Sequence, residues 1–108
     1  MTQYEARVKF TLCKARLVLW LFEQGYQVEE AQDGLKHMNG SLHYLGLADD
    51  LYLFKDIDGD GKPDYLKTTE EYRFAGEYWK FLDPALCWGG DFTNADGNHF
   101  SLGFGGRK

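Results

Sequence analysis

From about Thr2 to Gln24 the apolar residues Val8, Leu12, Ala15, Leu19 and Phe22 recur at helical spacing, with Leu17, Trp20 and Leu21 widening the stripe. This predicts a core-facing helix that Gly25 closes. Tyr26 to Ala31 alternates as a short strand does, and Gln32 to Gly40 is rich in turn formers. Leu47 to Phe54 has strand composition. A side-chain period of two places Ala48, Asp50 and Tyr52 on one face, so a single carboxylate stands on an otherwise apolar surface. Asp56 to Asp64 is a loop of Gly and Asp, after which Tyr65 to Lys67 returns as a hairpin partner. Thr68 and Glu71 have capping-box spacing, and Tyr72, Ala75, Gly76 and Trp79 follow at i, i+3, i+4 and i+7, which predicts a second helix to about Leu82. The last quarter reads as two short strands around an Asn-Ala-Asp-Gly turn, with His99 and Ser101 on one face and Phe100 and Leu102 on the other. The glycine-rich tail after Leu102 reads as loose. These elements add up to an α+β domain, a small antiparallel sheet packed against an N-terminal helix and a second helix.

Composition narrows the picture. At 108 residues, 44% of them hydrophobic and 17% aromatic, the expectation is one domain over residues 1–108 around one core. No stretch approaches the roughly 18 apolar residues of a membrane span. The N-terminal stretch mixes acids and bases into its apolar positions and lacks a small-residue cleavage site, so no secretory signal is expected. Cys13 and Cys87 have no second cysteine at metal-like or redox-like spacing and are expected to be free thiols. The net charge of −5 is unevenly spread, because six aspartates between Asp49 and Asp64 face only Lys55 and Lys62. Such an acidic focus disfavours nucleic acid phosphates and favours a bound cation.

Candidate chemistry concentrates in Ser41 to Asp50 and in Asp96-Gly97-Asn98-His99. A hydrolytic zinc site needs three protein ligands drawn from His, Asp, Glu and Cys, with a fourth position open to water. His43, Asp50 and His99 satisfy that count, and Asp96 is placed to lie beside the ion without ligating it. By spacing alone, hydrogen-bonded structural roles for the same residues stay open, since a His beside a turn and an Asp before Gly are ordinary turn chemistry.

The pattern Ser-x-His-x-x-Gly-x-Ala-x-Asp at Ser41 to Asp50, followed by acid-x-x-His at Asp96 to His99, resembles the VanX/VanY-type zinc D,D-peptidases, whose fold is Hedgehog/D,D-peptidase-like. It is more similar still to the phage L-alanyl-D-glutamate endopeptidases of that superfamily, on stretches resembling Leu51-Tyr52-Leu53-Phe54-Lys55, Gly76-Glu77-Tyr78-Trp79, Trp88-Gly89-Gly90 and Gly97-Asn98-His99-Phe100. The resemblance implies zinc held by His43, Asp50 and His99, with Asp96 as catalytic base. It implies that Trp88 and Gly89-Gly90 wall the cleft, although Trp88 reads equally as plain core. Ser41 is expected to fix the turn that delivers His43 through a side-chain to backbone bond. Family members carry an arginine for the substrate carboxylate after the first strand, where this chain reads Glu30-Ala31-Gln32-Asp33-Gly34. Lys36, His37 or Arg73 then stands as the replacement, His37 reading more simply as a loop residue.

The activity implied is a peptidoglycan hydrolase of the endolysin kind, cutting the stem peptide's L-alanyl-D-glutamate bond, with no nucleic acid or membrane partner and a monomeric chain. The implied location is the host cytoplasm until release to the periplasm and cell wall. Two alternatives are a D-alanyl-D-alanine carboxypeptidase or dipeptidase, and a non-catalytic calcium- or wall-binding module on the same fold.

Asp56, Asp58, Asp60 and Asp64 stand at positions 1, 3, 5 and 9 of a loop with Gly61 at position 6, matching the first part of a calcium-binding loop, with Lys62 offering its backbone carbonyl. Lys67 occupies position 12, where a full EF-hand loop has an acid. The spacing therefore fits a shortened calcium loop within the hairpin at residues 55–67, with a solvated acidic hairpin as the alternative.

Overall fold

The computed structural model describes residues 1–31 and 41–108, so the turn expected between Gln32 and Gly40, with Lys36 and His37, lies outside the described residues. Helix α1 spans Gln3–Glu23 and opens on a full capping box, in which Thr2 Oγ1 accepts the Glu5 N–H and Glu5 accepts the Thr2 N–H. Its buried stripe is Ala6, Phe10, Cys13, Leu17 and Leu21. Leu17 and Leu21 belong to the expected stripe, but the rest of it is corrected: Val8, Leu12, Leu19 and Phe22 are all more than half exposed. The helix is apolar on both sides, so period alone does not select the inner face. The inner face is the one beside Lys9 and Lys14, whose ammoniums reach Asp83 at 3.0 Å and Asp49 at 2.7 Å.

The sheet holds β1 (Gln27–Glu30), β2 (Ala48–Lys55), β3 (Asp64–Tyr65), β4 (Leu86–Trp88) and β5 (His99–Leu102). Its order is β1-β2-β5-β4 with every pairing antiparallel. Strand β2 is central: β1 lines one edge, while β5 pairs with Ala48 to Asp50 and β3 with Phe54 and Lys55 on the other. This is the α+β architecture the sequence predicts, two helices against a small antiparallel sheet.

Helix α2 (Thr69–Leu82) starts on the predicted Thr68/Glu71 capping box and buries Tyr72, Ala75, Gly76 and Trp79, the four residues singled out by period. Leu51, Leu53, Phe100 and Leu102 supply the sheet's inner face, each at most 1% exposed. Burying such side chains contributes about 1.5–3 kcal/mol apiece, an upper figure because unfolded chains are already partly compact. Trp79 stands edge-on to Phe10 and Phe100 with ring centroids 5.7 and 6.0 Å away. Its Nε1–H donates to the carbonyls of Cys87 and Ser101, so the buried indole nitrogen is satisfied. Cys13 and Cys87 are both free. No helix among the described residues is long and apolar enough to cross a membrane.

The glycine-rich tail is not loose. Phe104 and Arg107 exchange both backbone hydrogen bonds across Gly105 and Gly106, whose φ angles are +59° and +79°. Two successive positive φ values mark the tight hairpin turn that glycine adopts without a Cβ penalty. The Gly103 N–H also donates to Ala85 O, which ties the tail to the start of β4.

Candidate metal centre

His43 sits on a run of i to i+3 turns, in which Tyr44, Leu45 and Gly46 donate to Ser41, Leu42 and His43. The Ser41 hydroxyl accepts the His43 N–H at 3.2 Å, the side-chain to backbone bond anticipated for it. Leu42 and Leu47 are buried on either side, and Leu47 N–H donates back to Leu42 O, which pins the turn to the core. Asp50 and His99 are direct cross-strand partners in β2 and β5, so both project from the same face of the sheet. Asp49 points the other way, where Lys14 takes it together with Glu30.

These three elements bring His43 Nε2, His99 Nδ1 and Asp50 Oδ1 into a triangle. The edges are 3.3 Å between the imidazoles, 3.5 Å from His43 to Asp50 and 3.7 Å from His99 to Asp50. Three corners of a tetrahedron around zinc, at bonds of about 2.0–2.1 Å, lie about 3.3–3.4 Å apart. Two imidazoles and a carboxylate are also the donor types zinc takes. The residues therefore fit a zinc ion by both spacing and chemistry.

Behind His99, its Nε2 lies 3.1 Å from the main-chain oxygen of Lys108, and Phe92 lies alongside with ring centroids 5.2 Å apart. Burial works to lower the His99 pKa, but the Asp50 carboxylate and then the Lys108 oxygen outweigh it and carry the value above its ordinary range. Asp96 is also raised, first by partial burial of its carboxyl and then by the charge of Asp50, against the opposing pull of the two histidines. The Asp96 main chain is clamped to the site, since its N–H donates to Gly89 O and its carbonyl accepts the His99 N–H. A Cβ on Gly89 would run into that Asp96 carbonyl and into the His99 side chain, so glycine is required there.

Of the other candidates, Trp88 is fully buried, with its indole between Gly76 and Gly90 and its Nε1–H donating to Gly97 O at 2.7 Å. It supports the Asp96 to His99 turn from beneath and has no surface to offer a ligand. Arg73 lies over the Trp88 ring on the α2 surface and is paired with Glu70 at 2.7 Å. Three contributors were not singled out by sequence: Lys67, the Ser101 hydroxyl and the Lys108 main chain. Lys67 lines a cleft of about 180 Å³ with Asp96, Tyr65, Thr69, Tyr72 and Asn98. No motif marks Lys67, whereas the strand period already put Ser101 beside His99.

At the far end of β2 the carboxylates of Asp56, Asp58, Asp60 and Asp64 come within 4.8 Å of one another. Asp56 accepts the N–H groups of Gly59 and Gly61, Asp58 that of Asp60, Asp60 that of Lys62, and Asp64 that of Ile57. The bond from Gly61 foremost, and then that from Gly59, lowers the Asp56 pKa against the effect of desolvation. No family model matches this chain, and no curated protein matches it.

Proposed function

We propose that this protein is a zinc peptidase that hydrolyses an amide bond of bacterial peptidoglycan, at the L-alanyl-D-glutamate link of the stem peptide. The observation that carries the reading is the triangle of His43 Nε2, His99 Nδ1 and Asp50 Oδ1, with edges of 3.3–3.7 Å and an acid beside it. Zinc bound there lowers the pKa of water from about 15.7 towards 7 and polarises the substrate carbonyl. His43, Asp50 and His99 hold the ion, and Ser41 holds the turn that carries His43. Asp96 takes the proton of the attacking water and hands it to the nitrogen of the leaving amine as the C–N bond breaks. The bond chosen follows from the sequence resemblance to phage L-alanyl-D-glutamate endopeptidases, as do release from the host cytoplasm to the wall and action as a monomer.

Incubation of the zinc-loaded protein with purified peptidoglycan tests the reading. New N-terminal glutamate is expected. Free D-alanine would instead establish the carboxypeptidase alternative, and no product at all would leave the non-catalytic binding module. Asp96→Ala is expected to lose about 10²–10⁴-fold in turnover while keeping its zinc. A second ion belongs to the same reading: calcium held by Asp56, Asp58, Asp60, Asp64 and the Lys62 carbonyl, which orders the β2–β3 hairpin.

A further inference from the structure

The hairpin at the end of the chain meets the candidate zinc site from behind. The turn at Gly105 and Gly106 reverses the backbone so that the main-chain oxygen of Lys108 comes to lie over β5. There it accepts the hydroxyl hydrogen of Ser101, a fully buried residue, at 2.8 Å, and stands 3.1 Å from His99 Nε2. A main-chain oxygen, whether of a carbonyl or of a carboxylate, only accepts, so the imidazole nitrogen facing it must carry the hydrogen. In a neutral imidazole the other nitrogen then holds its lone pair, and that nitrogen is Nδ1, the atom facing His43 and Asp50.

We propose that the 103–108 hairpin is an outer brace of the metal site, in which the Lys108 main-chain oxygen, held by Ser101, fixes His99 as the Nε2–H tautomer and keeps Nδ1 free to ligate. The proposal rests on reading the His43, Asp50 and His99 cluster as a zinc centre, and it assigns Ser101 and the Gly105-Gly106 turn as positioning elements. The brace acts through His99 and touches neither substrate nor the reacting atoms. Outer partners of ligating histidines are worth roughly 10–100-fold in metal affinity.

Glycines 105 and 106 give a clean handle, because a Cβ at either would meet nothing within 4 Å and only the positive φ penalises substitution. The test uses the full chain, labelled with ¹⁵N. The His99 tautomer is read by long-range ¹H–¹⁵N correlation in the metal-free protein at a pH where both imidazoles are neutral, and zinc affinity by chelator competition. The wild type is expected to show His99 as Nε2–H alone. The double variant Gly105→Val, Gly106→Val is expected to show mixed tautomers and about 10–100-fold weaker zinc binding. Gly105→Asn, which tolerates the turn, should behave as wild type.

A wild-type His99 protonated at Nδ1 overturns the proposal without any variant being needed. A double variant that keeps the single tautomer or the wild-type affinity overturns it as well. Zinc binding with the expected tautomer but no hydrolysis defeats the peptidase reading alone, whereas a wild type that binds no zinc defeats both.

Discussion

Tyr72 shows how one side chain couples the core to pH. Its hydroxyl accepts the Leu53 N–H at 3.1 Å in the middle of β2, and burial, the leading cause, pushes its pKa up to about 12. The folded state therefore holds the phenolic proton more tightly than the unfolded chain, whose tyrosine titrates near 10. Stability is fully present below about pH 10 and falls as pH rises towards 12. Tyr72→Phe is expected to remove that alkaline decline while costing about 1–3 kcal/mol at neutral pH, because the Leu53 N–H loses its partner. Urea unfolding at several pH values reads both effects. At the candidate metal centre, Asp50→Asn is expected to weaken zinc binding by more than the roughly 10–100-fold that loss of an outer partner costs. The convergence of these three residues was legible because few side chains suit a zinc site and a strand period puts Asp50 and His99 on defined faces. The Lys108 oxygen was not legible, since a main-chain oxygen has no residue type and reaches His99 only through the turn before it.

Among the elements, α2 and β2 could be read directly, while in α1 only Leu17 and Leu21 of the expected stripe are fully buried. In α2 the capping box and one apolar stripe agree, leaving one orientation. In α1 Val8, Leu12, Leu19 and Phe22 make a stripe as regular as the buried one, so the choice is made by tertiary contacts that period cannot register. Leu17 is fully buried and Leu12 is 52% exposed. Leu17→Ala is thus expected to cost about 2–5 kcal/mol, and Leu12→Gln no more than about 0.5 kcal/mol. Chemical denaturation of the two variants distinguishes the faces, and a reversed order would mean that α1 packs the other way round. The 3₁₀ turn Gly89–Asp91 was not anticipated between the last two strands. It depends on a close approach of backbones at Gly89, a feature of packing that leaves no periodic trace.

Over the whole molecule the two candidate ion sites are mounted on one strand. Asp50 lies near the start of β2, and Lys55, its last residue, pairs with Asp64 of the aspartate loop. In the proposed reading, calcium at about 100 times its dissociation constant stabilises the fold by about 2.7 kcal/mol through binding to the native state alone. Calorimetry with and without calcium, zinc being held constant, should show that rise in melting temperature. Identical traces would reduce the loop to an acidic turn held by its own backbone bonds.

The neighbouring carboxylates Asp49 and Asp50 face opposite sides of β2, one towards Lys14 and one towards the histidines. If β2 slid by one residue so that Asp49 came opposite His99, an aspartate would still stand there, so acidity is a poor guard against that mispairing. The same slip would turn Leu51 and Leu53 out to water and drive Tyr52 and Phe54 inward. The alignment of the candidate site is thus policed by greasy residues that stand apart from its three donor atoms.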